Sequence, residues 1–179
     1  IVVHRKLDGL IKSVTIECVP SGYYTATILY DVPDNHVKPV LSKDNTVGID
    51  LGLTHLAITS ENKKYDNPKH YRKSQKKLRK EQQILSRRFE QNVKKRVYDK
   101  NGNCVKIIFD KPLQECKNYQ KQRTKVARIH NKIKQQRLDN LHKVSTNMIK
   151  NHDYIVVETL KVKNLMKNRK LSKSIADVG

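Results

Sequence analysis

The stretch Val47-Gly48-Ile49-Asp50-Leu51-Gly52-Leu53 constrains the fold more than any other part of the chain. Read at period two, Val47, Ile49, Leu51 and Leu53 share one face and Gly48, Asp50 and Gly52 the other. The apolar face has to be buried, so the stretch predicts a sheet strand with a core beneath it. Its second face carries one carboxylate between two residues without side chains. That leaves room for something bulky, such as a hydrated metal or a phosphodiester, to approach Asp50. A plainer reading, a strand with a surface Asp, fits this stretch alone equally well.

Charge narrows the partners. Lys and Arg number 38 against 17 Asp and Glu, a formal charge of +21. Such an excess predicts a polyanionic partner, most simply nucleic acid. A membrane is not expected, because there is no long apolar run and no amphipathic helix with Trp or Phe anchors. Cys18, Cys104 and Cys116 are odd in number and far apart. They form no CxxC pair, which predicts reduced thiols and a cytoplasmic location rather than a zinc or redox site. The chain opens on Ile1 and stops at Gly179 with no closing element, so a fragment of a longer protein is expected.

Along the chain, Val14 to Cys18 and Tyr23 to Tyr30 read as a β-hairpin around Pro20-Ser21-Gly22. Pro33 and Pro39 mark a linker, and a boundary is placed near Val40. Thr46–Leu51, Leu56–Ser60 and Lys64-Tyr65 predict an antiparallel meander. Asn67-Pro68 predicts a helix with Asn67 as N-cap, and its basic pattern continues to Arg96. Asn101-Gly102 predicts a two-residue turn of a small hairpin, Val97-Tyr98 with Val105–Phe109. Pro112 restarts a helix reaching Asn151, which leans back on the first as an antiparallel helical hairpin. Ile155, Val156 and Val157 lack alternation and predict a strand buried on both faces, ending in Glu158. Leu160 to Lys173 is basic and poorly periodic, a short helix or a loop that orders on nucleic acid.

Asp50 and Glu158 are the candidate catalytic and metal-binding residues. If their strands are parallel neighbours, both carboxylates project at one end of the sheet. Carboxylates so placed suit two divalent cations ~3.5–4 Å apart, acting on a phosphodiester. Hard oxygen donors that leave waters in place suit Mg²⁺ or Mn²⁺. The candidate nucleic-acid track is Arg72, Lys73, Lys76, Lys77, Arg79, Lys80, Arg87 and Arg88, with Lys163, Lys167, Arg169 and Lys170.

Residues 47–60, VGIDLGLTHLAITS, resemble the opening of the RuvC-like nuclease domain of the TnpB (OrfB) proteins of bacterial insertion sequences. Further matching stretches are Tyr65–Lys69 with Tyr71–Ser74, Leu85–Arg88, Lys125–His130, Gln136–Thr146, Ile155–Glu158 and Lys167–Ile175, so the resemblance covers most of residues 46–179. It implies an α/β, RNase H-like (RuvC-like) mixed sheet with a long inserted helical hairpin at about 68–151. Residues 1–39 would be the end of a β-rich wedge domain, and 40–179 an incomplete nuclease domain. It further implies an RNA-guided, metal-dependent DNA endonuclease, with Asp50 and Glu158 as the first two catalytic carboxylates and guide RNA and target DNA as partners.

Two departures qualify the resemblance. Thr159-Leu160-Lys161 stands where the family has Asp-Leu-Asn, and the third catalytic Asp and the zinc ribbon of the family lie beyond Gly179. Asp177 precedes the helix expected before that third position and is not assigned the role. Two carboxylates alone predict a fragment inactive by itself. Two other classes compete: a guide-RNA or DNA-binding module without catalysis, and a basic structural RNA-binding protein. The last has no use for acids at two strand ends.

Overall fold

The computed structural model describes residues 9–31, 40–168 and 170–178, and the chain divides into two compact units, Ile1–Val40 and Leu41–Gly179. In the first, β1 (Ile11–Cys18) and β2 (Tyr24–Tyr30) pair antiparallel. Their turn closes with Gly22 N–H donating to the Val19 carbonyl at 2.8 Å. Lys12 pairs with Asp31 at 2.7 Å. Every residue of β1 is exposed, so the hairpin buries little apolar surface of its own. Most of the predicted linker, residues 32–39, lies outside the described residues.

The second unit runs β3 (Thr46–Leu51), β4 (His55–Thr59), β5 (Lys64–Asp66), α1 (His70–Glu90), β6 (Val93–Tyr98), β7 (Cys104–Phe109), α2 (Lys117–Asn151), β8 (Tyr154–Val157), α3 (Val162–Leu165) and α4 (Ser172–Val178). It is a mixed α/β arrangement. The main sheet has the order β5-β4-β3-β8, antiparallel except that β8 lies parallel to β3. Val47, Ile49 and Ala57 on one face pack with Met148 of α2, and Tyr65 and Val144 close the cluster. The period-two reading of β3 thus holds for a core face at Val47 and Ile49, whereas Leu51, at the end of the strand, is 45% exposed and Leu53 lies past it.

At ~1.5 Å per residue the 35 residues of α2 span roughly 52 Å. Its first half lies antiparallel to α1, with Leu78, Val126 and Ile133 buried along the two helices. Gln122, 1% exposed, donates through Nε2 to the Glu81 carbonyl at 3.0 Å and also to the Glu81 carboxylate. Its second half forms the floor of the sheet, where Lys63 Nζ and Tyr65 Oη both donate to Asn147 Oδ1 at 2.8 Å. One helix therefore ties the basic hairpin to the sheet. Among the described residues no helix is long and apolar enough to cross a membrane.

Several local expectations are corrected. Asn67 is not the N-cap of α1. Its Oδ1 accepts from Lys69 N–H at 3.0 Å while its Nδ2 donates to the Leu53 carbonyl at 3.0 Å. Lys69 adopts a left-handed φ of 51°, so helical geometry begins only at His70. The helix then ends at Glu90, with Asn92 donating through Nδ2 to the Arg88 carbonyl, and Lys94–Arg96 belong to β6. The Asn101-Gly102 turn is a three-residue loop. Asp99 N–H donates to the Asn103 carbonyl at 2.9 Å, and only Gly102 has positive φ, whereas a two-residue type I′ turn needs it at both central residues. Pro112 opens a separate turn and α2 starts at Lys117. Finally, β8 is not buried on both faces. It is the edge of the sheet, and its four residues are 37–59% exposed.

Candidate functional site

Strand register brings the two predicted carboxylates together. Gly48 pairs with Val156 and Ile49 with Val157, where β8 ends; Glu158 is the next residue, and it lines the same hollow as Asp50. Adjacent strands lie ~4.8 Å apart. Asp50 also stands opposite Ile58 on β4. Residues opposite one another share a face, so Ser60, Gly48 and Val156 form one row and Ile58 and Asp50 the next, with Glu158 just past the end of β8. These six side-chain positions line a hollow of about 500 Å³ on the face opposite the core.

The two glycines of the motif have different reasons. A Cβ on Gly48 would lie 3.7 Å from Ser60 Cβ, an ordinary contact, so its missing side chain keeps the floor of the hollow low without being required by packing. A Cβ on Gly52 would lie 3.0 Å from the His55 carbonyl oxygen. Gly52 is there because the β3–β4 connection passes close by. Gly48 is further held by its N–H donating to Ser60 Oγ at 3.1 Å and its carbonyl accepting from Ser60 N–H at 2.8 Å.

Asp50 and Glu158 are both exposed, and among the described residues neither is drawn into a hydrogen bond or ion pair. Their oxygen lone pairs are available to a cation. Among the described residues no group of three or more His, Cys, Asp or Glu gathers as a metal cage. An all-oxygen pair open to water fits Mg²⁺ or Mn²⁺, which keep several waters and take one or two carboxylates, and it does not fit a closed zinc site.

The basic residues separate by what they touch. Lys73, Lys76, Lys77, Lys80 and Arg87 are exposed and stand at i, i+3, i+4, i+7 and i+14 on one face of α1, with Arg87 two turns beyond the other four. Arg79 is exposed on another side of the helix. Arg72 donates to Ser174 Oγ at 2.7 Å and Arg88 to the Asn118 carbonyl at 2.6 Å, so both are engaged within the protein. Lys163, Lys167 and Lys170 are exposed around α3 and the turn after it, and Arg169 lies outside the described residues.

The sequence reading missed the role of Asp177. It is 3% exposed, and its Oδ1 accepts from the Tyr71 N–H at 2.8 Å, capping α1 from another helix. Arg72 Nε stands 3.7 Å and Arg137 Nη2 3.9 Å from its carboxylate. Its neighbours are 106, 105 and 40 residues away in sequence, and no local pattern announces them. Nearby His70 is shifted below its usual 6.5, first by burial and then by Lys73 and Arg137, against the pull of Asp177 and Asp139.

Comparison with known proteins places the chain in a family. The chain is 32% identical over 165 residues to a protein of Streptomyces pristinaespiralis named "Putative RNA-guided DNA endonuclease". It is 32% identical over 164 residues to the "Putative RNA-guided DNA endonuclease InsQ" of Escherichia coli (strain K12). Each alignment covers 92% of this chain and 34% of the relative, so the chain spans about a third of the length of these relatives. Residues 27–169 match the model of the OrfB_IS605 family, described as "Probable transposase", and the chain belongs to that family.

Proposed function

We propose that this chain is the sheet-bearing part of an RNA-guided DNA endonuclease associated with transposition, built on an RNase H-like (RuvC-like) domain. The observation that carries the proposal is the parallel β3–β8 pairing together with the one hollow that Asp50 and Glu158 both line. A meander followed by a helical insertion and a parallel strand supports the fold reading. Asp50 and Glu158 would hold Mg²⁺ or Mn²⁺, which when bound supply Lewis-acid charge to a phosphodiester. The low floor at Gly48 admits the substrate backbone. The α1 stripe of Lys73, Lys76, Lys77, Lys80 and Arg87 neutralises phosphates of the guide or target strand.

The experiment is Mg²⁺-dependent cleavage of labelled DNA by a full-length protein carrying this chain. Asp50→Ala or Glu158→Gln is expected to lower the rate by at least ~100-fold, comparable to loss of a main electrostatic contributor to catalysis. Cleavage undiminished in both variants overturns the proposal. A second reading, a binding module, is favoured for the isolated chain by its two-carboxylate site. The isolated chain is accordingly expected to bind nucleic acid and leave it uncut.

A further inference from the structure

We propose that the β6–β7 ribbon, inserted between the two long helices, is an arm that docks into the major groove of double-helical DNA. This rests on the reading of the chain as a DNA-acting protein and adds a contact surface apart from the carboxylate face and the α1 stripe.

The root of the ribbon is fixed. Phe109 meets Phe89 of α1 edge-on at 5.3 Å between ring centroids, and Phe89 contacts Tyr119 of α2 at 6.2 Å. Asp110 N–H donates to the Asn92 carbonyl at 3.0 Å. Between its two bulges the pairing is regular: Lys95 with Ile108, Arg96 with Ile107, Val97 with Lys106. Opposite residues share a face, so the ribbon has two distinct sides. On one, Arg96 bonds the Glu90 carboxylate at 2.6 Å and Ile107 is half-buried. On the other, Lys95, Val97, Lys106 and Ile108 are all exposed. Residues 93–111 hold six Lys or Arg and two Asp. One of those acids, Asp99, is committed to the turn through bonds from Asn101 and Asn103 N–H, both at 2.8 Å.

The exposed side joins two cations, on opposite strands, to two apolar side chains. Phosphate oxygens complement the lysines, and thymine methyl groups complement Val97 and Ile108. The geometry selects the nucleic acid. Two strands ~4.8 Å apart, widened by their side chains, match a B-form major groove about 12 Å across. The major groove of an RNA duplex is too narrow and deep to admit them. A single strand would call for successive stacking rings, and on the ribbon only Tyr98, 58% exposed, is offered to solvent as an aromatic.

The test is fluorescence anisotropy of a labelled DNA duplex with this chain as a function of salt, with an RNA duplex of the same sequence and a single strand as parallel probes. Lys95→Glu with Lys106→Glu is expected to weaken DNA-duplex binding at least ~10-fold and to reduce the salt slope by about 2, one unit for each lost phosphate contact. Lys95→Arg with Lys106→Arg is expected to retain binding, and far-UV circular dichroism checks that both double variants fold. DNA-duplex binding unchanged by the charge reversal overturns the arm while leaving the proposed function intact. An equal loss on the RNA duplex or the single strand overturns the assignment to the DNA groove. Absence of DNA binding by the unaltered chain overturns the wider reading and this one with it.

Discussion

Asp50 and Glu158 stand in the opposite condition from Asp177. The first two are exposed on the open face of the sheet, without protein partners among the described residues, over a floor kept low by Gly48. Asp177 is buried, caps the Tyr71 N–H and faces two arginines. A carboxylate taken out of water needs charge and hydrogen bonds from the protein; at Asp177 the Tyr71 N–H takes Oδ1 and the two arginines supply charge, while the buried Oδ2 accepts no hydrogen bond among the described residues. A carboxylate left in water contributes little to folding and keeps its lone pairs. The contrast separates an acid that holds helices together from acids free to act on something else.

Stability measurements break or sharpen this contrast most directly. Asp177→Ala removes the cap of α1 and leaves Arg137 without its counter-charge. Loss of a cap costs about 0.5–2 kcal/mol. The Arg72 side chain is 48% exposed and its ion pair is correspondingly screened, so about 2–3 kcal/mol is expected in total. Asp177→Asn keeps an oxygen for Tyr71 and is expected to lose about half as much. Asp50→Ala and Glu158→Ala are expected to stay within ~0.5 kcal/mol of the parent, as exposed substitutions do. Urea denaturation decides it: equal losses at all three positions would erase the distinction.

The glycines of β3 give a smaller, similar contrast. Gly52→Ala pushes a methyl against the His55 carbonyl, held in a tight connection by the Gly52 N–H to Leu56 carbonyl bond of 3.3 Å. Overpacking of ~1–3 kcal/mol outweighs the ~0.4–1 kcal/mol gained from a stiffer unfolded chain, and a net loss of about 1 kcal/mol is expected. Gly48→Ala meets only ordinary contact and is expected to be neutral or slightly stabilising by the same denaturation assay. A large loss at Gly48 would mean that packing, rather than access to the hollow, requires the glycine there.

The legible parts of this molecule were those written in local periodicity. Alternation in residues 47–53 named the strand and its core face at Val47 and Ile49, because period two is a property of the strand itself, but it ran past the strand end, where Leu51 is exposed. The site was legible only conditionally. Asp50 and Glu158 are 108 residues apart, and their meeting depends on a parallel pairing that no short pattern encodes. The burial of β8 was misread for a related reason. An apolar run looks the same at the edge of a sheet as at its centre, and the neighbour that would tell them apart lies elsewhere. Asn101-Gly102 was misread because a three-residue turn also ends in glycine, and only the φ of Asn101 distinguishes them. Gln122 and Asp177 were invisible as buried residues because their partners come from other helices.

The mildest test of the Asp177 region is its pH dependence. His70 begins α1 beside this cluster, and its imidazolium is disfavoured first by burial and then by Lys73 and Arg137, so its value in the folded chain lies below 6.5. In the window between that lowered value and 6.5 the unfolded chain binds more protons than the folded one, and stability rises with pH. Above 6.5 both states are neutral at His70 and its contribution is complete; as pH falls through the window that contribution is lost. Melting temperatures at pH 5 and pH 7.5 are therefore expected to differ more in the parent than in His70→Gln, which has no proton to gain. Asp177→Asn takes away an acid that favours the charged imidazole, which lowers the His70 value further and widens the window. A His70→Gln chain with the full acid sensitivity of the parent would show that burial and the cations around His70 do not set its protonation.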